Sequence, residues 1–257
     1  MARGKVYPTP GGVGAPATAP HRRRSREGTR SDDAGGSPTI GTMAAFLVNV
    51  GVNASHRVRS PLFEDGSFRL HPIPEMRPWA PPMVRIPEVW GDRGVHLDPD
   101  LEAETPTYGD NCRRAGRAFA LRRAEPGDRM VFLARLHPRG DQGARPGFYL
   151  VGQLDVLQVA SDLVTDPGSG WWDGNAHVRR SRAGAPWDSF WVFRGGPTSR
   201  LYRRAVPFTR AQADRLFDGA WLWREVRTEL QTIGSYTRAV RRLEDGAEEL
   251  LRSLCPS

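Results

Sequence analysis

Lysine is almost absent from this chain: Lys5 is the only one among 37 basic residues, the rest being arginine. A lysine nucleophile is therefore not expected. Cysteine is nearly as scarce, with Cys112 and Cys255 far apart in the sequence. That spacing argues against a disulfide framework and a thiolate metal cluster, and fits two free thiols in a reducing cytoplasm. Long apolar runs are missing too. Met43 to Val50 is strand-sized, so neither a membrane span nor a signal peptide is expected. No Gly-rich turn runs into Gly-Lys-Ser or Gly-Lys-Thr, and no Gly-x-Ser-x-Gly elbow or His-Glu-x-x-His helix occurs. Cysteine-based deaminase zinc spacing is also lacking. Gly11-Gly12-Val13-Gly14 has no preceding strand and is no dinucleotide fingerprint.

What is present is a moderately basic chain of 257 residues, 39% hydrophobic, with 37 Lys+Arg against 29 Asp+Glu and a net charge of +8. That supports one sizeable core. Arginine suits phosphate, but a chain this rich in Arg, Gly, Pro and Ala also fits a GC-rich coding background. The charge is only a modest push towards a polyanion. Residues 1–42 carry seven Lys+Arg and three Asp+Glu, a net of +4. With no apolar period and a patch at Arg22, Arg23, Arg24 and Arg26, they read as a disordered basic tail. Met43 is a second candidate start, just before the first strand.

Ala45 to Gly51 reads as a buried strand. Glu64-Asp65-Gly66-Ser67 is a hairpin-type turn leading into a short strand, Phe68 to Ile73. Residues 74 to 95 hold five prolines and read as an extended surface segment. A helix is predicted over Asn111 to Arg123, with Ala115, Ala118 and Phe119 on one face. Strands are predicted over Arg129–Leu136, Gly147–Leu157, Ser189–Arg194 and Arg200–Val206. Helices are predicted over Arg210–Phe217, with Thr209 as N-cap, then Leu222–Ile233 and Tyr236–Leu254. The fold class is α+β, with a mixed, mostly antiparallel sheet or small open barrel and C-terminal helices. The domain is expected over 43–207, with 208–257 as a helical extension packed on it.

Four clusters can carry chemistry. His96, Asp98, Asp100 and Glu102 alternate in an extended segment, followed by Glu104, Tyr108 and Asp110. Five carboxylates and an imidazole thus fall within fifteen residues. They can serve as acid–base groups or bind a hard cation; the plainer alternative is a solvated acidic loop. Trp171-Trp172-Asp173-Gly174-Asn175-Ala176-His177-Val178-Arg179-Arg180 offers a ring face for a base, Asn175 and His177 for a base edge or a proton, and Arg179 and Arg180 for phosphate; it also fits a loop pinned by aromatic anchors. Ser199 and Arg200 follow a Gly-rich turn that can cradle an anion or be a simple turn. Asn53, His56 and His71 lie near the first strands, where a metal site is the minor alternative to satisfied imidazoles.

These residues also carry a resemblance. The order of Val50-Gly51, Pro61, Phe63 to Phe68, and His71-Pro72-Ile73-Pro74-Glu75 is one part of it. His96 to Asp100, Thr107-Tyr108-Gly109-Asp110, and Pro126-Gly127-Asp128 continue it. Tyr149 to Gly152, Asn175-Ala176-His177, and Ser199-Arg200-Leu201 complete it. Together they resemble the third of the nucleotide-modification-associated domain families of bacteria and phages. The resemblance runs from Phe46 to about Pro207. It implies a context of DNA base modification rather than a particular reaction. The chain departs from the pattern at Ala54-Ser55-His56, where a glycine-rich stretch is expected. A weaker fold-level analogy links Pro126-Gly127-Asp128 and the strand at Tyr149 to the small PUA-like and EVE-like barrels that bind modified bases.

Three functions remain open at this point. The first is an enzyme using His96, Asp98, Asp110 and His177 as catalytic groups, with His71 in the same cleft. The second is a non-catalytic reader with Tyr108, Trp171 and Trp172 lining a pocket and Arg179, Arg180 and Arg200 around it. The third is a scaffold for protein partners. Nucleic acid or a nucleotide is the expected partner, in the cytoplasm and away from membranes. The sequence does not identify a cofactor, and no metal ligands are assigned.

Overall fold

A computed structural model of the chain describes residues 43–52, 58–74, 95–113, 116–140, 145–243 and 247–254. The expected tail at 1–42, Asn53, His56, Glu75, Cys255 and most of the proline-rich segment lie outside the described residues.

β1 (Ala45–Val50) and β6 (Arg129–Pro138) pair in parallel, from Ala45 opposite Arg129 to Val50 opposite Ala134. Both are apolar at nearly every position, which suits strands buried on both faces. Phe46, Val48, Met130, Phe132 and Leu136 enter one core. Ala45, Leu47, Val131 and Leu133 enter another on the opposite face.

β7 (Gly147–Leu163) returns antiparallel to β6. Its register shifts between Leu150 and Gly152, against both neighbours. A bulge of this kind bends a strand. Beyond it β7 pairs with β8 (Phe190–Gly195), while its first half pairs with β9 (Arg200–Pro207). The edge strand β5 (Thr107–Asn111) lies antiparallel to β8. β2 (Pro61–Leu62) joins the far end of β6, and β3 (Ile73–Pro74) pairs with β4 (Val95–His96) apart from the main sheet. The strand path runs β10-β1-β6-β7-β8-β5, with β10 being Arg241–Arg242. The fold is thus α+β with a mixed, mostly antiparallel sheet. Its two end strands do not meet among the described residues, so it does not close into a barrel.

One face is covered by the segment around Leu101, Tyr108 and Cys112 and by a 3-10 helix, Phe119–Arg123. The other is covered by α2 (Arg210–Leu216), α3 (Glu229–Tyr236) and α4 (Ala247–Leu254). Trp221 anchors that side, stacked at 4.7 Å on Phe217 and 4.8 Å on Tyr236. No helix among the described residues is long and apolar enough to cross a membrane.

Several predicted elements differ. The helix expected over Asn111–Arg123 is strand β5 as far as Asn111, followed by the 3-10 turn; residues 114–115 lie outside the described set. Asn111 Oδ1 accepts the Arg113 N–H at 3.1 Å, an Asx turn that competes with a helix start. The strand over Phe68–Ile73 reduces to a bridge at Phe68 and to β3. The helix expected from Leu222 begins only at Glu229, where Thr228 accepts the Gln231 N–H at 3.2 Å. The preceding Leu222 and Val226 are 59% and 89% exposed, so their spacing marks no buried stripe. The helix from Tyr236 to Leu254 is interrupted by β10. Val240 and Leu243 enter opposite cores, as residues of odd separation on a strand do. In the other direction, Asn175 to Arg180, read as loop, contain most of α1 (Ala176–Arg182).

Asp128 fastens the turn ahead of β6 to the start of β1. Its carboxylate accepts the Ala44 N–H at 2.8 Å and the Glu125 N–H at 2.9 Å. Asp128→Ala orphans both donors at a buried position and should cost about 2–4 kcal/mol. Urea unfolding should show the midpoint falling with an unchanged slope; an unshifted midpoint would contradict this role.

Candidate functional site

Asp98 sits in the loop after β4 and is 6% exposed. The Gly109 N–H, from the middle of β5, reaches both of its carboxylate oxygens, at 3.0 and 3.1 Å. His177 Nε2 lies 3.2 Å from Asp98 Oδ2. His177 is in the first turn of α1, a helix fixed by its N-cap. Asn175 Oδ1 accepts the His177 N–H at 2.9 Å, and Asn175 Nδ2 donates to Thr107 Oγ1 at 3.2 Å. The sequence therefore places cap, imidazole and β5 contact within three residues.

Gly109 is needed at this meeting point. A Cβ on it would lie 2.7 Å from His177 Cδ2 and 2.9 Å from Asn175 Oδ1. Without a side chain, the backbone of β5 approaches α1 closely enough for its N–H to serve Asp98.

The proton positions follow from the partners. Arg180 Nη2 is 3.2 Å from His177 Nδ1. A guanidinium only donates, so Nδ1 accepts and the imidazole proton sits on Nε2, directed at Asp98. His177 is thereby held with both ring nitrogens engaged. The His96 ring, from β4, is centred 6.0 Å from that of His177. Burial pushes the Asp98 carboxyl above its ordinary range, opposed by His177, by His96 and by the Gly109 N–H.

Of the remaining expected site residues, Asp110 is next to Gly109 but faces a different set of partners. Its Oδ2 accepts the Tyr108 hydroxyl at 2.6 Å and an Arg117 N–H at 2.8 Å. Tyr108 is 1% exposed and packs edge-on against Phe132 at 5.3 Å. Its ring is core, with no open face for a base, and burial raises its hydroxyl well above the ordinary phenol range.

Trp171 and Trp172 meet edge to face at 5.2 Å, and the Trp172 indole donates to Gly168 O at 2.9 Å. They pack on the Val178, Phe190 and Val192 cluster as anchors of their loop. Ser199 Oγ accepts the Asp155 N–H at 3.0 Å, and Arg200 pairs with Gln153 through the strand ladder. Both belong to the β8–β9 turn. His71 receives its electrostatic influence from Arg69 and Arg139, and its pKa is lowered by burial first and then by them. Its backbone N–H donates to Ser60 at 3.1 Å. Arg179 lies near enough to Asp100 to feel its charge. The Cys112 thiol is pushed far above its ordinary range by burial, so it is an inert core group. Among the described residues, no group of three or more His, Cys, Asp or Glu is disposed to hold a metal ion.

The structure thus brings together His96, Asp98 and His177, with Asn175 and Gly109 as supports and Asp110 alongside. It does not bring in the tryptophans, Ser199 or Arg200, and the contacts described for His71 do not join it to the group. Sequence reasoning missed Gly109 as the point of close approach and Arg117 as the partner of Asp110.

A family model described as nucleotide modification associated domain 3 matches residues 45–252. The chain belongs to that family, which ties it in general terms to nucleotide modification. No curated protein and no solved structure matches.

Asp98→Asn tests the electrostatics of this group. Because the folded-state pKa is raised, the contribution of Asp98 to stability is fully present below the unfolded value near 3.8 and is lost as pH rises through the folded value. The amide removes that loss. The melting temperature of the parent should fall relative to that of Asp98→Asn as pH rises from 4 to 7, on top of a constant loss in the variant from the amide NH2 that faces the Gly109 and His177 donors. Calorimetry across that range checks both. Gly109→Ala should instead destabilise by about 1–3 kcal/mol through overpacking and displace the His177 ring resonances in NMR spectra.

Proposed function

We propose that this member of the family is an enzyme acting on a nucleotide base, free or within DNA, with His96 and Asp98 as its acid–base groups. His177 positions Asp98 and sets its proton affinity. The observation that carries the reading is the clamp on Asp98: a buried carboxyl held between a backbone N–H and an imidazole N–H, 3.0–3.2 Å away, beside a second histidine.

A general acid or base works best when its proton affinity is near the operating pH, and burial moves a carboxyl in that direction. Strongly perturbed carboxyls with specific charged partners are more frequent at working sites than in ordinary loops. The family context supplies the substrate class. Asp110 serves through Tyr108 and Arg117 as part of the supporting wall. Asn175 has the same supporting status, since its side chain is already committed to α1 and β5. Arg179 and Arg180 stand on the same helix, with Arg180 fixing the His177 tautomer.

The test incubates the protein with DNA and nucleotides carrying natural and modified bases, followed by mass spectrometry of the nucleosides. A changed nucleoside is expected. Asp98→Asn and His96→Gln should each lower its formation by about 10²- to 10⁴-fold. His177→Gln should lower the rate and also shift the pH profile. Tight, modification-dependent binding with no product would replace this reading with that of a reader.

A further inference from the structure

A cavity of about 990 Å³ opens on another part of the fold, lined in part by Arg117, Arg135, Arg227 and Arg238. None of the described residues around it is acidic, and neither Asp98 nor His177 is among them. Four guanidinium groups come from three stretches of chain. Arg135 is in the middle of β6, Arg117 stands before the 3-10 helix, and Arg227 and Arg238 flank α3.

Compensation among them is uneven. Arg117 has the Asp110 carboxylate at 2.8 Å. The buried Nε of Arg135 meets no acceptor among the described residues. Glu225 and Glu229, neighbours in sequence of Val226 and Leu230, are exposed and do not line the cavity.

Arg135 both feels and exerts charge along β6. Burial together with the charge of Arg59 lowers the pKa of Arg135. His137, two residues along β6, is pushed down to about 4 by burial, Arg135 and Arg59. Burial and the charge of Arg59 thus work against the protonated form of Arg135, whereas Arg117, though partly removed from water, is held above its ordinary range by Tyr108 and Asp110, so the unfavourable burden falls on Arg135. An anion in the cavity would relieve it. Arginine is the side chain whose fixed fork matches phosphate oxygens. The cavity also offers Asn49, Gln231 and Ser235 as hydrogen-bonding groups, and Phe148 and Leu230 as an apolar wall. A volume of this size accommodates a small ligand.

The geometry points to a binding site for the phosphate group of a nucleotide, with Arg135 as its principal cation, Arg238 and Arg227 at its mouth and the base against Phe148 and Leu230. This site is separate from the Asp98 group and stands whether or not Asp98 is catalytic. The two are joined by one connection: Arg117 reaches Asp110 with one nitrogen and the Asn49 carbonyl, at 3.3 Å, with the other.

Calorimetric titration of the full chain tests the site with four probes: a 5′-mononucleotide, the matching nucleoside, inorganic phosphate and a short single-stranded oligonucleotide. Phosphate-bearing probes should bind, the nucleoside at least tenfold more weakly, and inorganic phosphate should compete. Arg135→Gln should weaken the phosphate-bearing probes at least tenfold while leaving the unfolding midpoint equal or higher, since it removes an uncompensated charge. Arg203→Ala, on the exposed side of β9, removes the same charge elsewhere and should leave binding within twofold. Binding of the oligonucleotide alone would assign the phosphate to a strand, and binding of the mononucleotide to a free ligand; either supports the site. Equal binding of nucleoside and nucleotide, equal losses in the two variants, or no binding of any phosphate-bearing probe at millimolar concentration would overturn it. Asp98→Asn should bind the mononucleotide as the parent does, so loss of turnover and loss of phosphate binding are read separately.

Discussion

Gly109 is the point at which the backbone of the edge strand and the first turn of α1 come closest, beside the Asn175–Thr107 bond and the packing of Val178 on Phe190 and Val192. On one side is an edge strand, on the other the first turn of a seven-residue helix. The ring of His177 and the amide of Asn175 occupy the space that any side chain at Gly109 would fill. The backbone N–H exposed by this approach is the donor that holds Asp98. Remove the approach and three things go together: the Asp98 clamp, the orientation of His177 and the docking of α1. The chemistry of the corner depends on a steric fact before it depends on charge.

The rest of the molecule makes that corner possible by being closed elsewhere. β1 and β6 bury residues on both faces, so two cores share a single sheet. Little room remains inside for polar groups. Titratable side chains are displaced towards the edge at β5 and towards the loops around it. A buried carboxyl there works against stability, and its partners offset only part of that. Sites of function commonly carry such a burden.

Much of the sheet was legible in the sequence. Arg129 to Leu136 and Gly147 to Leu157 announced themselves by apolar content and by the Pro126-Gly127-Asp128 turn between the helix-like stretch and the strand. The His96-Asp98 pair and His177 were also visible, as polar groups in an irregular setting. Their convergence was expected only as a consequence of the enzyme hypothesis, which also put His71 there, since 79 residues separate Asp98 from His177 and nothing local encodes a meeting at that range. α1 escaped notice because seven residues span barely two turns, too few for a periodic signal. The apolar positions at Val240 and Leu243 mimicked a helical stripe, yet they sit on either side of a two-residue strand. Arg117, Arg135, Arg227 and Arg238 gave no signal at all, because arginine is common throughout this chain and only the fold selects these four.

β7 is 17 residues long, and it holds β6 and β9 along its first half and β8 along its second. The chain from Phe190 to Pro207 runs beside it end to end, interrupted at the turn containing Ser199. The corner bearing Asp98 and the wall bearing α2 therefore hang from one continuous ribbon whose register is broken at Leu150–Gly152, Val156–Gln158 and Ala160–Leu163. Each break adds local twist to the strand, so the direction of the ribbon is set in steps along its length.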